Sequence, residues 1–260
     1  MPKDNENFLS GLDFFQNSDY SKVRSRKDFI CSECNNSGVI YTKNGTKFCP
    51  RKRSINFYNS SFIPARYSKC RDTRFDNGHW KLRKGNIQEA LNYSINYVDN
   101  FPDSLPPFFI GSTGLGKTHL SICIISELIL KKNKKCIFKQ FRDLLSDIKD
   151  IYVKNESEKD YVDELSDYDV LVIDDLGSTR MSEWETSVLD NIIAKRYNAE
   201  KHTILNSNLA LINGSKYKVT DPNMVLDSKI GERNISRIFE MCKVLELTGE
   251  DFRRTPKLKK

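Results

Sequence analysis

From residue 86 onward, apolar positions recur with two alternating periods. Over 86–101 they place Ile87, Ala90, Leu91, Ser94, Ile95 and Val98 on one helical stripe, and Pro102, Pro106 and Pro107 then end the helix. Beyond it, short apolar runs alternate with longer amphipathic ones. The runs at 108–110, 136–138, 170–173, 202–205 and 244–247 predict strands, and 118–130, 141–153, 183–197 and 233–241 predict helices. This alternation predicts an α/β fold, a mostly parallel sheet with helices on both faces. Before about residue 80 the character is different. Cys, Asn, Ser and Arg dominate among short aromatic patches, with turn signals at Asn36-Ser37-Gly38, Lys43-Asn44-Gly45 and Asp76-Asn77-Gly78. The shift predicts a small N-terminal module at 1–80 and a main domain at 81–260, with no internal repeat.

Composition narrows the class. Of 260 residues, 38% are hydrophobic and 30% charged, enough for a core and for solubility. No run of eighteen apolar residues exists to span a membrane, and Met1-Pro2-Lys3-Asp4-Asn5 lacks the apolar stretch of a signal peptide. A cytoplasmic protein is expected, and its seven cysteines are then thiols rather than disulfides. Cys123, Cys136 and Cys242 lie in apolar stretches and are expected in the core. The net charge of +7 sits partly in two runs, Lys131-Lys132-Asn133-Lys134-Lys135 and the tail 253–260. These read as a solvated turn and a loose end, or as contacts to nucleic-acid phosphates.

Gly111-Ser112-Thr113-Gly114-Leu115-Gly116-Lys117-Thr118 fits the phosphate-loop pattern, and it follows a predicted strand and opens a predicted helix. The glycines let the backbone curl so that successive N–H groups face phosphate oxygens. Lys117 is expected to reach the terminal phosphates and Thr118 to ligate Mg²⁺, with His119 beside them. ATP and Mg²⁺ are the expected ligands. Some fifty residues on, the apolar run 170–173 delivers Asp174 and Asp175 to a strand's C-terminal end, where open α/β sheets place their chemistry. Asp174 is the expected Mg²⁺ partner and Asp175 the group that orients or deprotonates water. Any strand exit can carry Asp; the separation from the phosphate loop is what gives this pair meaning. The next predicted strand ends in Asn206-Ser207-Asn208. Asn208 is the candidate sensor of the terminal phosphate and Asn206 the second choice, against a plain Asn-rich turn. Arg233 and Arg237 fall at i, i+4 on one helical face, where a surface pair bridged to acids is the ordinary reading.

Taken in order, Gly114-Leu115-Gly116-Lys117-Thr118-His119-Leu120, Leu171-Val172-Ile173-Asp174-Asp175-Leu176-Gly177, Asn206-Ser207-Asn208-Leu209, the stretch 230–238 and Leu247-Thr248-Gly249-Glu250-Asp251-Phe252-Arg253 say more. The chain resembles the AAA+ replicative helicase loaders of the DnaC/DnaI type, kin of the IstB transposition ATPases, over about 85–254. The resemblance implies ATP hydrolysis, with Asn208 as sensor and Arg237 acting in trans as an arginine finger. Many AAA+ ATPases carry Glu where Asp175 stands, and the shorter side chain implies slow hydrolysis. Arg253 or Arg254 is a further candidate for nucleotide contact.

The resemblance also implies partners: a hexameric replicative DNA helicase, single-stranded DNA, and other copies of the chain joined through the ATP site. Ser182 and Trp184 lie where such a loader could touch DNA, although a Trp at this helical position also suits a core. An IstB-like transposition helper or a DnaA-like DNA-remodelling ATPase are the alternatives. Cys31 and Cys34 followed by Cys49 resemble the start of a zinc ribbon of the kind some DnaI-like loaders carry. The residue after Cys49-Pro50 is Arg51, not the Cys a second pair requires, so the fourth Zn²⁺ ligand is Cys70 or His79, or the cysteines are simple thiols.

Overall fold

The computed structural model describes residues 34, 37, 39–43, 45–49, 75, 85–178, 181–211 and 225–253. Toward the N-terminus, β1 (Val39–Thr42) and β2 (Gly45–Phe48) form an antiparallel hairpin in which Thr42 faces Gly45. Lys43 follows β1 in a turn and Gly45 opens β2 with φ +116°. Cys34 and Cys49 flank the hairpin, are both buried, and belong to the same apolar cluster as Ile87 and Ala90.

The main domain runs α1 (Ile87–Asp99), β3 (Pro107–Ile110), α2 (Lys117–Lys132), β4 (Cys136–Gln140), α3 (Phe141–Val153), α4 (Glu158–Asp167), β5 (Val170–Asp174), α5 (Glu183–Asn198), β6 (His202–Ser207), α6 (Asp227–Ile230), α7 (Glu232–Met241) and β7 (Lys243–Glu246). The strands form one parallel sheet ordered β4-β5-β6-β3-β7. Strand pleating sorts its side chains between two cores. Val170 and Val172 pack with Phe109 and Ile204 under α1 and α2, while Leu171 and Ile173 pack with Phe108, Ile110 and Leu205 under α3, α4, α5 and α7. Helices cover both faces, as predicted. Cys123, Cys136 and Cys242 are buried, as predicted.

The differences from the predicted elements have physical reasons. The apolar pattern does not predict α4, because only Val162, Leu165 and Ser166 of its ten residues are buried. Its signal is a cap instead: the Ser157 hydroxyl accepts from the Asp160 N–H. Strands β5 and β6 outrun their apolar segments, ending at Asp174 and Ser207. The parallel ladder carries them further, pairing Gln140 with Asp174 and Ile110 with Ser207.

The basic run that ends α2 and continues past it is stitched to its own chain. Lys131 pairs with Glu127 at 2.8 Å, and Lys132 Nζ donates to the Asp99 and Phe101 carbonyls. Lys134 lies over the Phe101 ring and Lys135 over Tyr168. A second tie is Arg196 of α5, fully buried. Its guanidinium donates to the Thr203 hydroxyl and to the carbonyls of Leu165, Tyr168 and His202, locking α5 to α4 and β6.

Candidate nucleotide site

Between the end of β3 and the start of α2 the chain makes a tight loop. Gly111, Gly114 and Gly116 take φ values of +132°, +80° and +96°, a region that side-chain-bearing residues rarely adopt. At Gly114 packing demands glycine as well, since a Cβ there would lie 1.7 Å from Asp251 Oδ1. Leu115 turns its side chain into the core and anchors the loop. Lys117 Nζ folds back to donate to the Gly111 and Ser112 carbonyls at 2.6 and 2.7 Å. Burial pushes the Lys117 ammonium down to about 8, against the upward pull of Asp174 and Asp175.

Strand order brings the acids to this loop. β6 lies between β3 and β5, so its C-terminal asparagines stand between the loop and the acidic pair. Asp174 accepts from the Thr118 hydroxyl at 2.9 and 3.1 Å and from Asn206 Nδ2 at 2.7 Å. Ser121 of α2 donates to Asn206 Oδ1 at 2.9 Å, so Asn206 bridges α2 and Asp174. Burial pushes the Asp174 carboxyl above its ordinary range, and the bonds from Asn206 and Thr118 pull the other way. Asp175 sits in the left-handed region at φ +62° and accepts from Asn208 Nδ2 at 2.7 Å. Each acid thus has its own amide.

A cavity of about 530 Å³ opens over these groups. Thr113, Gly114, Gly116, Lys117, Thr118 and His119 line one side, facing Asp174, Asp175, Asn206 and Asn208. Gln140, Ser207, Phe252 and Arg253 complete it. The donor set suits a nucleotide with its cation: backbone N–H groups at a helix N-terminus and a lysine for phosphates, and the hard oxygens of Thr118 and Asp174 for Mg²⁺. The cation would supply charge neutralisation between phosphates and carboxylate.

Most of the predicted site residues converge here, but not all. Gly111, Ser112 and Leu115 shape the loop without lining the cavity. Arg237 is not part of it; on α7 it pairs with Asp190 of α5 at 2.7 Å. Ser182 caps α5, its hydroxyl accepting from the Glu185 N–H while Glu185 accepts from the Ser182 N–H. Trp184 is partly buried, with Nε1 donating to the Tyr152 hydroxyl and Lys149 lying 5.2 Å from its ring centre. Of the candidate zinc ligands, Cys31, Cys70 and His79 lie outside the described residues, as does Arg254. Among the described residues no three His, Cys, Asp or Glu side chains gather to hold a metal. Asn206, the second choice in the sequence, is the amide that holds Asp174, and Ser121 and Gln140 carry no signal in the sequence. The parallel ladder sets this pairing: Ile173 faces Leu205, so Asp174 and Asn206 come next on neighbouring strands.

Comparison with known proteins agrees with this fold. The family model of the IstB-like ATP-binding protein matches residues 92–260. The replicative helicase loader DnaC of Escherichia coli strain K12 is 30% identical over 156 residues, covering 58% of this chain and 61% of that protein. The chain thus matches less than two thirds of that relative's length. A crystal structure of the DnaC helicase loader superposes with a TM-score of 0.60 at 30% identity, over 71% of this chain and 99% of that one. The crystal structure of DnaI, at 20% identity and a TM-score of 0.54, covers 73% of this chain and 94% of its own and shares the fold. No helix among the described residues is long and apolar enough to cross a membrane. With its phosphate loop, paired acids and asparagines on a five-stranded parallel sheet, the chain belongs to the IstB-like ATP-binding protein family and has the AAA+ P-loop fold.

Proposed function

We propose that this chain is a slow ATPase that loads a hexameric replicative DNA helicase onto single-stranded DNA, in the cytoplasm. The observation that carries the proposal is the 30% identity to a helicase loader over 156 residues of the chain. In this reading Lys117 and the loop N–H groups hold the phosphates, while Thr118 and Asp174 hold Mg²⁺. Asp175, oriented by Asn208, positions the attacking water. Asp reaches less far than Glu, which suits a timer rather than rapid cycling. Arg237 serves the site of a neighbouring copy, so ATP also acts as a joint between subunits. The module at 1–80 is the part proposed to contact the helicase.

Single-stranded DNA would be met on the face where α3 meets the start of α5. Tyr152 and Val153 are exposed there, and the Tyr152 and Trp184 rings stand 6.2 Å apart beside Lys149. Stacking rings next to a cation suit unpaired bases and their backbone. Zinc gains no support among the described residues and is no part of the proposal.

The test is capture of the cognate replicative helicase with and without ATP, using the wild-type chain and Lys117→Ala. Retention that responds to ATP and to Lys117→Ala is the expected result. No retention under any nucleotide condition removes the loader reading and leaves the ATP site standing. A transposition helper would instead recruit its transposase in the same assay.

A further inference from the structure

The arginine proposed to act on a neighbour is tied down on its own subunit. Asp190, in the third turn of α5, faces α7 and meets two guanidinium groups. Arg237 Nη1 lies 2.7 Å from Asp190 Oδ1, and Arg233 Nη1 lies 3.8 Å from Oδ2. The Arg237 and Asp190 side chains are 27% and 29% exposed, so their contact is sheltered; Arg233 is 77% exposed and held at arm's length. Of the two carboxylates on α7 itself, Glu240 is engaged by the Tyr197 hydroxyl and Glu232 is exposed at the first residue of the helix. One carboxylate therefore serves two arginines set four residues apart on one helical face, and only the inner one has hydrogen-bonding distance.

We infer that Asp190 is a latch for Arg237, and that Arg233 is the residue that makes the latch releasable. The inference rests on the trans role proposed for Arg237. For its guanidinium to meet a phosphate held by another copy, the bond to Asp190 must open. Left alone, that opening strands a half-sheltered carboxylate, which is unfavourable. Arg233 is already beside the second oxygen, and a rotamer change brings it to hydrogen-bonding distance as Arg237 leaves. The carboxylate keeps a cation throughout, and the exchange adds only a modest barrier to assembly. A latch of this kind keeps Arg237 folded back while the chain is alone and yields it when a neighbour presents a nucleotide. It sets the protein concentration at which hydrolysis switches on, without touching the cavity itself.

The test is ATP hydrolysis measured against protein concentration, with fluorescent ATP-analogue binding at low protein as the second readout. Asp190→Asn keeps the shape and removes the charge. It is expected to lower the protein concentration for half-maximal hydrolysis by about 2- to 5-fold, the range of a partly exposed ion pair. Its plateau rate and its affinity for the analogue stay at the wild-type values. Arg233→Ala shifts the half-maximal concentration the other way by a similar factor, and Asp190→Glu, which retains the pair, behaves as wild type. If Asp190→Asn instead lowers the plateau as Arg237→Ala does, Asp190 presents the arginine rather than restraining it, and the latch is refuted. The same follows if neither Asp190→Asn nor Arg233→Ala moves the curve while Arg237→Ala is inactive; the trans role then survives without the latch. If Arg237→Ala hydrolyses ATP as wild type does, the trans role falls and the latch with it.

Discussion

Asn206 and Asn208 show how two identical side chains two positions apart acquire different tasks. Both line the cavity, but Asn206, within β6, is buried and bridges Ser121 to Asp174, whereas Asn208, just past the strand, is half-buried and holds Asp175. Replacing Asn206 by Ala takes one hydrogen bond from each of two buried partners, leaving Asp174 with Thr118 and Ser121 with the Lys117 carbonyl. It is expected to lower stability by about 2 kcal/mol, measured as a shift in denaturant midpoint at unchanged slope. Asn208→Ala should leave that midpoint in place and reduce the hydrolysis rate about a hundredfold, the scale of losing one oriented group at a reacting centre. Lys117 gives a pH prediction. Burial depresses its ammonium to about 8, so Lys117 is charged below that pH and neutral above it. Phosphates favour the charged form and draw the proton back. ATP binding should therefore weaken as pH rises through 8, with proton uptake on binding at about pH 9 and little at about pH 7. Calorimetry in buffers of different ionisation enthalpy reads this directly, and Lys117→Arg, which keeps its charge, should abolish the uptake.

At the scale of elements, polar side chains set several of the contacts that aim the site. Arg196 reaches from α5 to α4 and β6, and every partner it meets is a neutral oxygen. Arg196→Ala leaves those buried acceptors without a donor and should cost about 3 kcal/mol in unfolding free energy. Because α5 also carries Asp190, the same substitution should raise the protein concentration needed for hydrolysis only as far as folding is lost. Comparing activity per folded molecule checks that. The segment after β7 is a second example. Gly114→Ala places a methyl group where Asp251 sits and strains a loop at φ +80°. The expected result is loss of ATP-analogue binding by more than about tenfold, with little change in the unfolding midpoint.

At the scale of the whole molecule, the charge excess is +7, and among the described residues its densest basic run, 131–135, is bound up within its own chain. Lysines 131, 132, 134 and 135 are occupied by Glu127, helix-end carbonyls and aromatic faces of their own chain. The aromatic face at Tyr152 and Trp184 is the better candidate. Alanine at either position should weaken single-stranded DNA binding by about 5- to 100-fold, the range for losing one stacked base. Alanine at Lys134 should change it far less. Fluorescence anisotropy with a short unstructured oligonucleotide separates the two surfaces.

The sequence by itself determined the fold class, the phosphate loop and the acidic pair. Those features are local: glycine spacing dictates a curled loop, and strand and helix periods dictate a layered sheet regardless of what they pack against. Helix α4 escaped because its cap and charges, not an apolar stripe, make it a helix. Only the tertiary structure decided which asparagine meets which acid, where the Lys117 ammonium donates, and that Arg237 rests on Asp190 rather than at the cavity. These contacts join residues from 5 to 47 positions apart, and all but those of Lys117 cross strands or helices whose order and register the periodicity leaves open. A side chain's period along one element predicts the face it occupies, and only the neighbouring element predicts its partner.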